Sequence, residues 1–569
     1  MDKTRYISAV NEVNEILKKD IPSQQKLIKS GMDLKQSIDE FKIKVLIIGE
    51  FSAGKTALVN KLLGSEILKE DITPETAIAT ELHYDKTEHV DMVPESGEAV
   101  KCSLADASMA DPRKYMKYVY YLDNPVLGEL SDYILVDMPG FNSGVEAHNK
   151  ALLQYIGQGT AYLLVMNVEK GCITDSAIAF LNEIKNYSPY VRYILTKCDK
   201  KTEEDVEKTK VEIQRELISI EGTKPEIVTT SVQDQELPGK VLGEIKAISP
   251  AGALEHSFSD DIVHLIDRGI NGLNIAKDAI RFNPAQLDMQ IRRSLRAKEM
   301  VEGKFTAEKE KLQAEYQGAM TGRVINDVRV ALQNNVEQLT SAAMSGQGAF
   351  EQAINGIIRP VLMKSVNVAA GEFTHQAAAA IDQIIMDSEN SPEDVERISD
   401  MAKGSVDAFK NFSASQMERL QKASARKGIG TTEKALYTGI TTALAVTTNV
   451  VAPIIELVII FLPEILSFVS KSFERNRISD EIENTVIPRL CSELEPKVQE
   501  QMEALQKAVI EELESRYNDE MQGQMDILQK LKEEKAKKTG KVESQQKVLA
   551  EDIEKLEAVR KNFIVSDAE

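Results

Sequence analysis

The spacing of apolar positions changes character along the chain and divides it into regions. In residues 1–41 the apolar positions Ile7, Val10, Val13, Ile16 and Leu17 fall at helical spacing. Pro22 interrupts, and a second helix is expected over about residues 24–40. From residue 43 the pattern becomes short apolar runs. Strands are expected at 43–48, 77–84, 133–137, 161–168, 191–196 and 226–230. Several runs are continuously apolar, as a mostly parallel sheet covered by helices on both faces requires. A helix is expected from Lys55 to Leu63, with Gly64 as its stop. Between 85 and 130 lies an irregular insert with Pro94, Pro112 and Pro125, where no element is expected.

After about residue 250 the strand signals end and helical spacing dominates. Pro250, Pro284, Pro360 and Pro392 mark expected helix boundaries. Residues 492–562 are dense in Glu, Lys and Gln, with apolar positions Leu494, Val498, Met502, Leu505 and Val509. That pattern describes a long bundle or coiled-coil helix, a solvated stalk without chemistry of its own. One stretch breaks the pattern: from Ala435 to Ser470 the only charges are Glu456 and Glu464, with Pro453 and Pro463 inside it. The resulting division is 1–41, N-terminal helices; 42–249, an α/β domain; 250–434, a helical region; 435–470, an apolar hairpin; and 471–569, returning long helices.

A chain of 569 residues is too long for one core, and about two to four domains are expected. The formal net charge of -21 makes non-specific nucleic-acid binding unfavourable, so no nucleic-acid partner is expected. The four cysteines, Cys102, Cys172, Cys198 and Cys491, form neither a disulfide framework nor a zinc pattern. The first twenty residues carry no apolar run, so no secretory signal is expected and a cytoplasmic setting fits.

Three motifs carry the chemistry. Gly49-Glu50-Phe51-Ser52-Ala53-Gly54-Lys55-Thr56 reads G-x-x-x-x-G-K-T between an expected strand and an expected helix. Its glycines let backbone N–H groups approach phosphate oxygens. Lys55 would reach the β- and γ-phosphates, and the Thr56 hydroxyl would hold Mg²⁺. Asp137-Met138-Pro139-Gly140 reads D-x-x-G at a strand end; Asp137 would lie near the Mg²⁺ and Gly140 near the γ-phosphate. Thr196-Lys197-Cys198-Asp199 fits the guanine-reading pattern [NT]-K-x-D. One carboxylate can accept from both N1–H and the 2-amino group of guanine, a donor pair that adenine lacks. Ser231, after the next strand, is a candidate for a further base-side loop. Thr76 is a candidate switch residue over Mg²⁺ and the γ-phosphate, with Thr73 as its rival.

In this order, Gly-Glu-Phe-Ser-Ala-Gly-Lys-Thr, Pro-Glu-Thr-Ala, Asp-Met-Pro-Gly and Thr-Lys-Cys-Asp resemble the dynamin superfamily, in its bacterial dynamin-like branch. The motif resemblance covers residues 43–231. It implies a Ras-like GTPase domain on an elongated all-α neck and trunk with an apolar tip. It also implies GTP/GDP and Mg²⁺ as ligands, and self-assembly or pairing with a second dynamin-like protein. The activity implied is GTP hydrolysis with membrane remodelling at a lipid surface. Lys55, Ser52 and Thr76 are the catalytic candidates. One departure matters: eukaryotic dynamins carry a glutamine just before the serine that matches Ser52, and here that position is Phe51. The position after D-x-x-G, where Ras-type enzymes use glutamine, is Phe141. Neither side chain can orient water, so basal turnover is expected to be low. Two alternatives follow: a GTP-gated scaffold with little hydrolysis, and a soluble regulatory GTPase.

The apolar stretch has basic flanks: Lys422, Arg426, Lys427 and Lys434 before it, and Lys471, Arg475 and Arg477 after it. Flanks of one sign favour both ends on the same anionic surface, a hairpin dipping into one leaflet. Glu456 and Glu464 oppose deep insertion. A hairpin buried in the stalk and a transmembrane pair are the other readings.

Overall fold

The computed structural model describes residues 1–69, 78–94, 98–111, 114–140, 159–184, 188, 190–346, 475–537 and 542–563, with scattered positions between 348 and 380. Thr73, Thr76, Phe141, the stretch from 435 to 470 with the basic residues before it, Pro360 and Pro392 lie outside the described residues.

A nine-stranded sheet organises the first half. Its strands are β1 (Ile43–Gly49), β2 (Ala79–Tyr84), β3 (His89–Val93), β4 (Val100–Cys102), β5 (Lys117–Leu122), β6 (Tyr133–Asp137), β7 (Ala161–Asn167), β8 (Val191–Thr196) and β9 (Ile227–Thr229). Their order is β4-β3-β5-β2-β6-β1-β7-β8-β9. From β6 to β9 all neighbours are parallel. Strand β2 runs antiparallel to β6 and parallel to β5. All six strands expected from the apolar runs are present. The region from 85 to 130 is not irregular: it supplies β3, β4 and β5. β3 is bounded by Pro94, alternates over only five residues, and β5 pairs with β2 from more than thirty positions away. Strands this short, with charged and tyrosine positions among the apolar ones, leave little local period to read.

Each face of the sheet is buried. Ile43, Val45 and Ile47 pack with Leu58 and Leu62 of the Lys55–Leu63 helix and Val241 and Ile245 of the Leu237–Lys246 helix. On the opposite face Leu46 and Ile48 share a core with Leu181 and Ile184 of the Asp175–Ile184 helix and Ile213 and Leu217 of the Glu203–Glu221 helix. The alternation along β1 thus serves two apolar layers. The chain runs from β1 to β2 on one side of β1 and later from β6 past β1 to β7 on the other, so the carboxyl end of β1 is the point where crossovers diverge. Ligands of open α/β sheets bind at such points.

The helical part begins before the sheet. The helices Thr4–Asp20 and Gln25–Glu40 pack with Pro250–Ala279 and Val542–Lys561 around Val10, Val13, Leu17, Ile38, Ile262, Ile266 and Leu556. Pro250 and Pro284 each open a helix at its first turn, behind the side-chain caps Ser249 and Asn283. The capping box of Asn283 and Gln286 starts a 51-residue helix, Pro284–Asn334. It packs along Ile487–Lys537, whose Leu494, Val498, Met502, Leu505 and Val509 are all buried. A π-helical turn, Ile482–Val486, precedes that helix. Pro488 has no N–H to give the carbonyl four residues before it, which accounts for the irregular turn. Among the described residues, no helix is long and apolar enough to cross a membrane.

Candidate functional site

The three motifs converge at the carboxyl edge of the sheet. Gly49 ends β1, Asp137 ends β6 and Thr196 ends β8. The strand-to-helix turn at Gly49–Thr56 needs its glycines for different reasons. A Cβ on Gly49 would lie 2.3 Å from the Val165 carbonyl oxygen. Gly54 has φ 86° and caps the Lys55–Leu63 helix, a left-handed conformation open to glycine. Ser52, at φ 63°, accepts the same region without that freedom, a strain of about 1 kcal/mol or more. Backbone strain at this turn is what a loop built around a ligand carries.

Lys55 is buried, and its ammonium donates to the carbonyls of Gly49 and Glu50, each at 3.1 Å. Burial drops its pKa to about 8, against the opposing pull of Asp137 and then Glu50. A desolvated cation beside the first turn of a helix suits an incoming phosphate. The Thr56 hydroxyl donates to the Asp137 carboxylate at 2.8 Å. This part-buried hydroxyl–carboxylate pair at the mouth of the loop presents two oxygen ligands suited to Mg²⁺. Gly140 packs on the loop itself: a Cβ there would stand 2.7 Å from both the N and the Cα of Phe51. The last residue of D-x-x-G therefore touches the phosphate loop directly, backbone to backbone.

The third motif is tied in by Thr196. Its buried hydroxyl lies 2.6 Å from the Ala53 carbonyl and 2.9 Å from the Met166 carbonyl. The base-side strand end is thereby fixed to the phosphate loop. Lys197 adopts φ 57°, turning the chain sharply. Its ammonium stands 3.7 Å from Glu169. Asp199 is exposed and lines an open cleft of about 520 Å³ with Lys200, Lys201, Thr202 and Asp205. Cys198 N–H donates to the Thr230 carbonyl at 3.2 Å, which brings the loop after β9 alongside. In that loop Ser231 is buried, and its hydroxyl accepts from Gln233 N–H at 3.2 Å. Thr230 donates to Asp234, whose carboxyl the Lys240 ammonium and the Glu236 N–H hold below the usual range.

Two features were not singled out from the sequence. The first is Thr174, whose hydroxyl donates to the Glu50 carboxylate at 2.7 Å and accepts from Ala177 N–H at 3.2 Å. Its signal was available as a helix N-cap following an apolar strand, but its partner was not. The second is Glu81, buried in β2. Lys44 and Lys117 each donate to it at 3.0 Å, and His83 stands 2.9 Å away. Those partners sit on three strands, so only the register reveals them.

Part of the chain is similar to known proteins. A Nostoc punctiforme bacterial dynamin-like protein is 24% identical over 193 residues, covering 31% of this chain and 28% of the relative. The Arabidopsis thaliana protein named Probable transmembrane GTPase FZO-like, chloroplastic is 28% identical over 192 residues, 34% of this chain and 19% of the relative. The chain thus spans less than a third of the length of either. A solved structure of an oligomerised bacterial dynamin pair is 14% identical with a TM-score of 0.38, covering 97% of this chain and 80% of that one. Residues 45–198, which hold most of the sheet, match the model of the dynamin family.

Proposed function

We propose that this chain is a dynamin-like GTPase that binds GTP and GDP with Mg²⁺, hydrolyses GTP slowly, self-assembles and acts at a membrane surface. The observation that carries this reading is the convergence of Lys55, the Thr56–Asp137 pair and the Thr196–Ala53 tie at one sheet edge within the segment that matches the dynamin family. Lys55 and the N–H groups of residues 50–56 bind the phosphates, and Thr56 and Asp137 hold the metal, with Thr76 as the proposed third ligand. Bound Mg²⁺ would neutralise charge on the phosphate oxygens. Asp199 reads guanine, the Lys197 stem lies against the base, and Ser231 borders the base-side loop. Ser52 and Thr76 remain the side chains proposed, with Lys55, for catalysis.

Membrane tethering is stated of the solved bacterial dynamin pair. It is proposed here through residues 435–470, with their basic flanks as the surface contact.

Phe51 favours a second reading, a GTP-gated scaffold with little turnover, because the loop presents a ring where water would be oriented. Phosphate release from GTP under multiple turnover, with and without anionic liposomes and across protein concentrations, separates the two. The GTPase reading expects a low basal rate that rises with concentration or lipid. Single-turnover behaviour under every condition, with tight GTP binding, supports the scaffold. Equal turnover of ATP and GTP overturns the guanine assignment.

A further inference from the structure

Glu50 puts a carboxylate inside a loop built for anions. The placement needs an explanation, because a negative group near the phosphates opposes them and a negative group near Lys55 competes with them. The structure supplies one. The Glu50 carbonyl accepts from Lys55 at 3.1 Å, while its carboxylate accepts from Thr174 at 2.7 Å. Thr174 stands just ahead of the Asp175–Ile184 helix, in the segment that follows β7. Its single hydroxyl proton goes to Glu50, and its lone pair takes Ala177 N–H. One oxygen thus joins the Glu50 carboxylate to the cap of the Asp175–Ile184 helix.

Resting on the reading that this loop binds GTP, we propose that Thr174 is a positioning residue that holds the Glu50 carboxylate away from Lys55 and leaves the ammonium to the phosphates. Released from Thr174, Glu50 is close enough in the chain to form an ion pair with Lys55. That internal pair would compete with nucleotide for the same cation. The segment that holds Glu50 also meets the base-side motif, through Glu169 and Lys197, so a single loop touches both ends of the site.

The test is a double-mutant cycle read by titration calorimetry with GDP and a non-hydrolysable GTP analogue. Thr174→Val should weaken binding about ten- to a hundredfold, the range of one charge-assisted hydrogen bond. In turnover the loss should fall on KM rather than kcat. Thr174→Ser keeps the hydroxyl and should restore most of the affinity. Glu50→Gln should tighten binding, since the amide no longer competes for Lys55. The double variant T174V/E50Q should bind no more weakly than E50Q, although it lacks the same helix cap as T174V. A double variant as weak as T174V would overturn the proposal and leave Thr174 a simple cap. Loss of binding in E50Q would overturn it too, because the carboxylate would then be required. If Lys55→Ala binds nucleotide like the wild type, it is the phosphate-loop reading that has failed instead.

Discussion

Two corners of this molecule bury charge, and they balance it in opposite ways. At the end of β1, Lys55 is buried with two backbone carbonyls as its hydrogen-bond acceptors. At the end of the Thr4–Asp20 helix, Asp20 and Asp552 are buried together, and the protein supplies its own counter-ions. Lys19 reaches Asp552 at 2.5 Å and Lys555 reaches it at 2.6 Å, while Lys19 stands 3.6 Å from Asp20. Here the neighbouring helices contribute close packing: a Cβ on Gly272 would stand 2.8 Å from Ile21, and one on Gly523 2.7 Å from Gln24. Carbonyl dipoles orient an ammonium but do not neutralise it; lysines neutralise a carboxylate outright. The first arrangement suits the anion proposed for it. The second is complete without one.

The comparison breaks most sharply at Lys55. Lys55→Ala should lower GDP and GTP affinity by more than about a hundredfold, the loss of a buried charge-assisted contact. Thermal stability without nucleotide should hold or rise, since burial has already made the charged lysine unfavourable there. Thermal scans with and without GDP check both halves. A variant that unfolds on its own, with nucleotide affinity intact, would make Lys55 structural.

A smaller effect is expected at Asp199, which is exposed and balances nothing internal. Asp199→Asn should weaken GTP binding about ten- to a hundredfold and gain xanthosine triphosphate. An amide restores the donor–acceptor match to the xanthine edge. Equal wild-type affinity for ATP and GTP would remove the basis for the assignment.

The contrast also shows what the amino-acid sequence makes legible. The runs at 43–48, 161–168 and 191–196 announce strands, because a sheet covered on both faces needs unbroken apolar residues. Gly49, Gly54, Lys55 and Thr56 are readable because one turn must satisfy fixed spacings, and the structure adds the Val165 carbonyl that forbids a side chain at Gly49. Pro250 and Pro284 are readable because a proline has one good place in a helix. Strands β3 to β5 escaped notice because they are short or carry charged and tyrosine positions among the apolar ones, as in His89–Val93, Val100–Cys102 and Lys117–Leu122. Thr174, which finds Glu50 across 124 positions, and Asp552, which finds Lys19 across 533, escaped notice because their partners are remote. Local period and spacing foretell elements and loops. Register and helix packing decide which charges meet.

The smallest effect belongs to Asp20, where the balance is nearly closed. Burial, reinforced by the adjacent Asp552, pushes the Asp20 carboxyl up to about 6, with Lys19 opposing. Burial would raise Asp552 as well, but the hydrogen bonds from Lys19 and Lys555 outweigh it and hold that carboxyl at about 2. The signs then differ. A raised folded-state pKa stabilises fully below the unfolded value of 3.8, and that contribution fades as pH rises through about 6. The depressed Asp552 stabilises above 3.8 and loses its contribution only as pH falls toward about 2. Near pH 4 the corner holds one proton on Asp20 and is at its most stable; by pH 7.5 both carboxylates are charged. Asp20→Asn mimics the protonated side chain at every pH. It should therefore match the wild type near pH 3.5, where the unfolded carboxyl is protonated too, and exceed it at pH 7.5 by about 1 kcal/mol after solvent screening, with GDP affinity unmoved at pH 7.5. Denaturant titrations of the two proteins at both pH values give the difference directly. A gap of the same size at pH 3.5 and 7.5 would mean that the folded Asp20 carboxyl is not raised, so that Lys19 balances Asp20 as well as Asp552.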